Sequence, residues 1–260
     1  MSFKNRRRTM AVWGELIVLV CAISWPVPVA ADEIKGLAES ADYFPDGVGS
    51  RWEYHGEITE GPLQTIDHKV FTNVSSVTGT KDLKGMTVIV FHDTNPGNHG
   101  PSDSFYRRDA AGIVYHGSEP GTPLEKQLIP YQIVTFPITI GSTIQQFDKK
   151  DLDFGADIDR DGVNEKADAI GTSEVAGFES ITVPAGTFKD AVRIEARMTM
   201  TIHLSGTERT ATGIDVMTAW FAKGVGLVKY FERQELTPLK DRGMITEIME
   251  ELESYDIKHD

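Results

Sequence analysis

Apolar and polar residues alternate at every second position through most of the chain. The pattern fills RWEYHGEI (51–58), HKVFTNVSSV (68–77), GMTVIVFHD (85–93), AVRIEARMTMTIHL (191–204) and GLVKYFERQEL (226–236). A period of two gives an antiparallel strand one face towards a core and one towards water. Runs such as 190–204 exceed the usual strand length, and long strands curl a sheet towards a barrel. The sequence predicts a mainly β fold: a single curved antiparallel sheet, as a half-barrel or open barrel, with little helix.

Turn residues predict where two hairpins bend. In VPAGTF, Pro184 presets φ for a tight turn and Gly186 accepts a positive φ. Gly224 and Gly226 bracket a second tight connection. Residues 34–44 predict a short helix that ends before Pro45. Residues 244–257 fit either a helix or a strand, and a strand is favoured because it would cover an open sheet edge.

The N-terminus predicts export. Four basic residues within positions 4–8 precede the uncharged apolar run LIVLVCAISW (16–25), and the small residues Val29 and Ala31 suit a cleavage site. Residues 1–31 are therefore predicted to be a signal peptide, and 32–260 a single β-rich domain in the periplasm or outside the cell. Cys21 is the one cysteine, and Val20 before it disfavours lipid anchoring there.

Charge limits the partners. The chain carries 26 basic and 39 acidic residues, a net charge of −13, and signal removal makes the charge more negative. Nucleic acid and anionic lipid surfaces attract basic patches, so neither is an expected partner. Cationic partners are favoured, metal ions included. No later segment is apolar for long enough to cross a membrane as a helix, so no transmembrane segment is expected after signal cleavage.

The acidic segment DIDRDGVNEKAD (157–168) has the register of a calcium-binding loop. Counted from its first residue, oxygen ligands are expected at positions 1, 3, 5, 7, 9 and 12, and Gly162 at position 6 allows a sharp turn. The predicted Ca²⁺ ligands are the side chains of Asp157, Asp159, Asp161, Glu165 and Asp168 and the carbonyl of Val163. The alternative is a solvated polar turn without a metal.

Two departures separate this loop from a helix–loop–helix hand. Asn164 stands where an aliphatic residue is usual, and Asp168 replaces the longer bidentate glutamate. The flanking segments are extended in pattern, so the loop is predicted to connect strands. A site of this type stabilises the fold structurally and does not act as a sensor.

Four patches resemble the signatures of one protein group. They are DYFPDGVGSRWEY (42–54), ITVPAGTF (181–188), AVRIE (191–195) and AWFAKGVGLVKYFE (219–232), and they resemble a broad group of exported bacterial β-domains of unknown function. The resemblance implies a curved antiparallel sheet, similar in outline to the half-barrels of periplasmic lipoprotein carriers. This chain has Lys223 where the group often has proline.

The large rings of these motifs have two interpretations. Trp52, Tyr54, Trp220 and Phe221 can fill the core of a rolled sheet, or they can line an apolar ligand cleft if the sheet stays partly open. Core packing is the more common role for such residues.

Catalytic signatures are absent from the sequence. There is no Gly-x-Ser-x-Gly elbow, no His-Glu-x-x-His and no phosphate-binding glycine loop. The favoured hypothesis is a non-catalytic exported domain, stapled by calcium, that binds an apolar or lipid-like small molecule. The alternatives are a structural or adhesive protein that binds a cell-envelope protein, and a hydrolase whose residues form no sequence motif.

Overall fold

The computed structural model describes residues 37–62, 66–96, 100–237 and 244–259. The predicted signal peptide, with Cys21, lies outside these residues. The described residues contain two short helices, α1 (Leu37–Ala41) and α2 (Glu125–Leu128). The strands are β1 (Arg51–Pro62), β2 (Asp67–Leu83), β3 (Met86–Asp93), β4 (Ser102–Asp109), β5 (Gly112–Glu119), β6 (Tyr131–Thr135), β7 (Thr143–Asp153), β8 (Lys166–Val183), β9 (Gly186–His203), β10 (Thr210–Ala222), β11 (Gly226–Leu236) and β12 (Met244–Asp256).

All twelve strands form one antiparallel sheet that is nearly closed into a barrel. The order is β6-β5-β4-β3-β2-β1-β12-β11-β10-β9-β8-β7, so two six-strand meanders meet where β1 pairs with β12. Strands β8 and β9 are each 18 residues long. Such length favours coiling, because the right-handed twist accumulates along a strand. The predicted mainly β fold with little helix is confirmed.

The sheet ends, β6 and β7, approach each other without a strand pairing between them. Helix α2 covers the seam, and the Nζ of Lys149 on β7 donates to the carbonyls of Gln127 (2.6 Å) and Leu128 (3.1 Å). Nearby, the amide of Gln146 donates to the carbonyl of Gln132 on β6 at 3.1 Å. The two lysine bonds satisfy carbonyls at the end of α2, and the Gln146 bond satisfies a carbonyl of the edge strand β6.

Both predicted hairpins are confirmed. Val183 pairs with Gly186 across a two-residue turn, and Ala222 pairs with Gly226 across a three-residue connection. Gly186 (φ 140°) adopts the predicted positive φ, and Gly224 (φ 72°) and Gly226 (φ 90°), which bracket the second connection, also have positive φ. Residues 244–256 form the strand β12, the favoured alternative for this segment. The predicted short helix is present as α1.

Apolar side chains from the inner face of the sheet form the main core. Met198, Met200 and Ile202 on β9 are fully buried, together with Phe154 after β7. The inner residues of β10 alternate with outer ones in the same way, as the period of two requires. Among the described residues, no helix is long and apolar enough to cross a membrane.

A substitution at Gly112 tests how closely β5 and β6 approach each other. A Cβ at this position (φ 132°) would lie 2.0 Å from the carbonyl oxygen of Val134, whereas one at Gly79 (φ 150°) would meet nothing within 4 Å. Gly112→Ala should therefore lower the free energy of unfolding by about 1–3 kcal/mol more than Gly79→Ala, because only the former adds a backbone clash to the φ strain. Urea denaturation measures the difference, and equal losses would show that β6 is not held this close.

Candidate ligand cavity and metal loop

A cavity of about 280 Å³ lies inside the rolled sheet. Strands β1 to β6 and β9 to β12 line it, and the segment 44–46 after α1 lies at its margin. Its size is close to the lower end of the range for small-molecule pockets, about 300–1,000 Å³. The interior of the barrel is therefore divided between a packed core and a space that a small molecule can enter.

A series of aromatic rings in contact with one another runs along the cavity. Consecutive ring centroids lie 5.2–6.0 Å apart, within the range of favourable aromatic pairs. The series, here called the aromatic wall, runs Trp52–Phe91–Tyr106–Tyr115–Tyr131–Phe147 over β1, β3, β4, β5, β6 and β7. The first four of these rings line the cavity itself. The wall presents a continuous apolar surface to an occupant.

Three of the four aromatic residues singled out from the sequence lie at the cavity. Trp52 and Tyr54 are each 3% exposed and also line the space, as does Phe221. The indole N–H of Trp52 donates to the carbonyl of Val225 at 2.6 Å, and the Tyr54 hydroxyl donates to that of Leu227 at 3.0 Å. Both rings thus anchor β1 to the β10–β11 hairpin while facing the cavity.

Trp220 lies on the outer surface of the sheet, away from the cavity. Its indole N–H donates to the carboxylate of Glu179, and the Nζ of Lys229 lies 6.0 Å from its ring centroid. Successive side chains of a strand point to opposite faces of the sheet, so the neighbouring rings of Trp220 and Phe221 lie on different sides. Adjacent residues in a strand therefore have separate roles here.

Carboxyl groups also line the cavity. Asp93 on β3, Glu232 on β11 and Glu250 on β12 line it, and together they are called the acidic wall. The amide of Asn73 donates to Glu250 at 3.4 Å, and the hydroxyl of Tyr230 donates to Glu232. The cavity is thus amphipathic, because both rings and acids line it.

Burial sets the protonation of the acidic wall. It raises the pKa of Glu250 to about 8, helped by the negative charges of Asp93 and Glu232. Burial likewise raises the pKa of Asp93 to about 6, against hydrogen bonds from Ser75 and Asn73 that lower it. Burial also raises the pKa values of Glu232 and its buried neighbour Asp215. Near neutral pH the wall therefore holds protons that the same residues lose in water.

The acidic wall was not predicted from the sequence. In so acidic a chain, carboxylates are expected on the outer face, and the alternation alone does not say which of two faces is inside. Glu232 does share its parity with the inward Gln234 and Leu236 of β11, so this signal was present. Asp93 and Glu250 are 157 positions apart, and the β2–β3, β1–β2 and β1–β12 pairings together bring them close.

The acidic loop connects β7 to β8, as predicted, and brings three of its carboxylates together. Oxygens of Asp157, Asp159 and Glu165 lie within 4.8 Å of one another. Asp157 also accepts hydrogen bonds from the backbone N–H of Asp161 (3.1 Å) and Gly162 (2.9 Å). These bonds wrap the loop around the Asp157 side chain.

The other predicted ligands are Asp161, Val163 and Asp168, and their side chains are not part of this group of three carboxylates. The Asp161 carboxylate accepts bonds from the Ser205 hydroxyl and the N–H of Val163, and these bonds lower its pKa. The Val163 side chain is 56% exposed. Asp168 lies within β8, where its carboxylate accepts the N–H of Asp151 at 3.0 Å. The structure therefore does not bring Asp168 into the group of three.

The loop is also tied to the β9–β10 connection. One Glu165 carboxylate oxygen accepts the N–H of Ser205 at 3.0 Å, and the other accepts the N–H groups of Ile158 (3.2 Å) and Asp159 (3.3 Å). Glu165 is fully buried. A buried carboxylate with three backbone donors fixes the loop to a neighbouring hairpin whether or not a cation is bound.

Histidine–carboxylate pairs occur away from the cavity. His92 lies 2.7 Å from Asp103, with side chains 38% and 43% exposed, and His203 lies 3.5 Å from Asp168. Among the described residues that line the cavity there is no histidine. The arrangement that the hydrolase alternative requires, such a pair within a deep pocket, is therefore not found in the described part of the chain.

The carboxy-terminal meander carries a family signature. Residues 133–235 match the family model described as DUF3108-like. This stretch includes the VPAGTF hairpin and the β10–β11 hairpin, and the match confirms the resemblance to an exported β-domain family of unknown function. The match covers less than half of the chain. No curated protein matches the sequence.

Two solved structures resemble the chain. One is a protein inferred to be exported, with a YmcC-like fold, from Bacteroides fragilis NCTC 9343: 14% identity, TM-score 0.42, covering 82% of this chain and 98% of that chain. The other is a protein inferred to be a lipoprotein from Parabacteroides distasonis ATCC 8503: 15% identity, TM-score 0.34, with the same coverage. Neither likeness is close enough to transfer a function.

The acidic wall predicts that stability falls as pH rises. Because folding raises the pKa of Glu250 from 4.5 to about 8, the folded protein keeps a proton that the unfolded chain releases. The free energy of unfolding should therefore decrease between about pH 4.5 and pH 8. Glu250→Gln should flatten this decrease and stabilise the protein by about 1–3 kcal/mol at pH 8, as measured by urea denaturation across the range.

Glu251→Gln is the matched control. Glu251 is the next residue on β12 and pairs with Lys229 at 2.6 Å on the outer face. Its removal should leave the slope of stability against pH unchanged. A Glu250→Gln protein that keeps the slope of the unmutated protein would show that Glu250 is not buried in its acid form.

Proposed function

We propose that this protein is a non-catalytic exported binding domain that holds an apolar or lipid-like small molecule inside its rolled sheet, and whose acidic loop binds a structural calcium ion. The observation that carries the first part is the aromatic wall along a cavity of about 280 Å³. Export rests on the predicted signal peptide and on the family resemblance.

Packing supports a ligand. Protein interiors are close-packed and contain few voids larger than a water molecule. Water inside this cavity would contact rings that gain about 25 cal/mol per Å² when an apolar group covers them. The rings are also held in place before any ligand arrives, since Trp52 and Tyr54 are bonded to the backbone of the β10–β11 hairpin. A preformed site has less conformational entropy to lose on binding.

Ser104 provides a test of binding inside the sheet. It lines the cavity on β4, opposite Phe91 on β3. The fluorescence of N-phenyl-1-naphthylamine, which is neutral at pH 7, should rise on addition of the protein because the dye leaves water. Ser104→Phe should weaken its binding about tenfold or more, since the new ring occupies the space and removes about 1.4 kcal/mol of contact or more.

Thr72→Phe is the control for this experiment. Thr72 is exposed on β2, next to the cavity residue Asn73. The substitution therefore adds the same ring to the outer surface of the sheet. The variant's affinity for the dye should equal that of the unmutated protein. Equal binding by both variants would place the dye on the outer surface, and no binding by the unmutated protein would contradict a ligand-binding interior.

The loop geometry supports the calcium part of the proposal. Calcium takes six to eight oxygen ligands, and the three gathered carboxylates supply a partial shell that carbonyl groups and water can complete. Without a cation, such carboxylates repel one another. Asp157, Asp159 and Glu165 fit this role, and Asp161 lies beside them at Ser205. Bound calcium would hold the β7–β8 loop against the β9–β10 connection.

Thermal denaturation tests the metal. Calcium at 10 mM should raise the Tm of chelator-treated protein by roughly 5–10 °C if the Kd is about 0.1 mM, because binding at 100 times Kd adds about 2.7 kcal/mol. Asp157→Asn combined with Asp159→Asn should abolish the rise. Asp168→Asn, outside the gathered group, should keep it. No rise in the unmutated protein would exclude a calcium site of this strength.

A further inference from the structure

The acidic wall lacks a cation of its own. Arg108 is the one basic residue among the described residues that line the cavity. Its guanidinium is paired with Asp46 at 2.5 Å and donates to the carbonyl of Phe44 at 3.0 Å. Arg108 therefore binds the segment after α1. No basic side chain of the described lining is left to pair with the acidic wall.

The carboxyl groups of the acidic wall retain capacity to accept hydrogen bonds. Each carboxylate offers about four lone-pair sites. The Asn73 amide reaches Glu250 only at 3.4 Å, which is at the weak end of the range. Glu232 accepts the Tyr230 hydroxyl and, at 2.8 Å, the Gln234 amide. Donors from an occupant of the cavity would complete these shells.

We propose that the occupant of the cavity is an amphiphile whose polar end is a protonated amine held by Asp93, Glu232 and Glu250, and whose apolar body lies on the aromatic wall. This inference rests on the proposed function, because it specifies the ligand class of the same cavity. The small volume suits a single alkyl chain or ring system rather than a two-chain lipid.

Charge and geometry favour an amine over other polar ends. A carboxylate or phosphate end would meet three acids and no free cation, which is strongly unfavourable in a buried site. A metal ion needs ligand atoms gathered at one point, and among the described residues only the loop carboxylates Asp157, Asp159 and Glu165 are so gathered. An ammonium group has three donors for several separate acceptors, and aromatic faces attract it further.

Displacement of N-phenyl-1-naphthylamine by decylamine, decanol and decanoate, each below its aggregation concentration at pH 7, tests the ligand class. The three share one chain and differ in the polar end. Decylamine should bind with an affinity about tenfold or more higher than that of decanol, because hydrogen bonds to charged groups contribute enough free energy for such a difference. Decanoate should have the lowest affinity of the three. Equal affinities for amine and alcohol, or a preference for decanoate, would overturn the inference.

Variants locate the effect in the cavity. Asp93→Asn combined with Glu250→Gln keeps the shape of the acidic wall and should reduce the preference for amine over alcohol to about threefold or less, while dye binding is retained. Glu251→Gln should keep the full preference. A preference that survives the double variant would overturn the assignment. If the dye does not bind the unmutated protein at all, the proposed function fails; if it binds without amine preference, only the ligand class fails.

Discussion

The pairing of β1 with β12 is the interaction on which the rest of the fold depends. It joins two meanders, β1–β6 and β7–β12, whose other edge strands meet without pairing at the seam covered by α2. Residues from Arg51 to Pro62 pair with residues from Asp256 to Met244, close to the two ends of the described chain. These contacts span about 200 positions, so their formation carries a large loop-closure entropy that the long strand registers must offset.

The two walls of the cavity come mainly from the two meanders. The aromatic wall follows β1, β3, β4, β5 and β6 to β7, whereas Glu232 and Glu250 belong to the second meander. Gly56 stands at the junction: it pairs with Glu250 on β12 and with Phe71 on β2, and a Cβ there would lie 2.3 Å from the Phe71 ring. The absence of a side chain lets the ring and the carboxyl share the inner face.

Much of the architecture was predictable because strand periodicity, turn glycines and proline are local signals. The single antiparallel sheet and the bend at Pro184 followed from residues within a few positions of one another. The local pattern of residues 244–257 fits either a helix or a strand, and the strand is favoured because it would cover a sheet edge. The aromatic wall did not follow from local signals, because it depends on the register of strands far apart in sequence. Phe91 and Tyr106 become neighbours only through the β3–β4 pairing, and no periodicity within either strand specifies it.

The acidic loop also shows that a local pattern does not specify which side chains meet. Counting positions from Asp157 treats the loop as if a helix followed it, and a helix would turn position 12 back towards the ion. Here β8 begins at Lys166, and an extended chain advances about 3.3 Å per residue. Three residues carry Asp168 about 10 Å beyond Glu165, where it meets Asp151 instead. The structure therefore gathers Asp157, Asp159 and Glu165, whereas Asp168 lies apart from them.

The buried acids lower the stability of this fold, so their presence calls for a compensating role. Acids with raised pKa values destabilise the protein above the pKa that they have in the unfolded chain, and hydrophobic residues at these inner positions would avoid that loss. Positions such as Met198 and Met200 show that the same sheet can fill its interior with apolar side chains. Local departures from the best packing are typical of sites that bind something. The acidic wall is such a departure, and it lines the same cavity as four rings of the aromatic wall, a combination that is the basis for proposing a ligand with one cationic end and one apolar body.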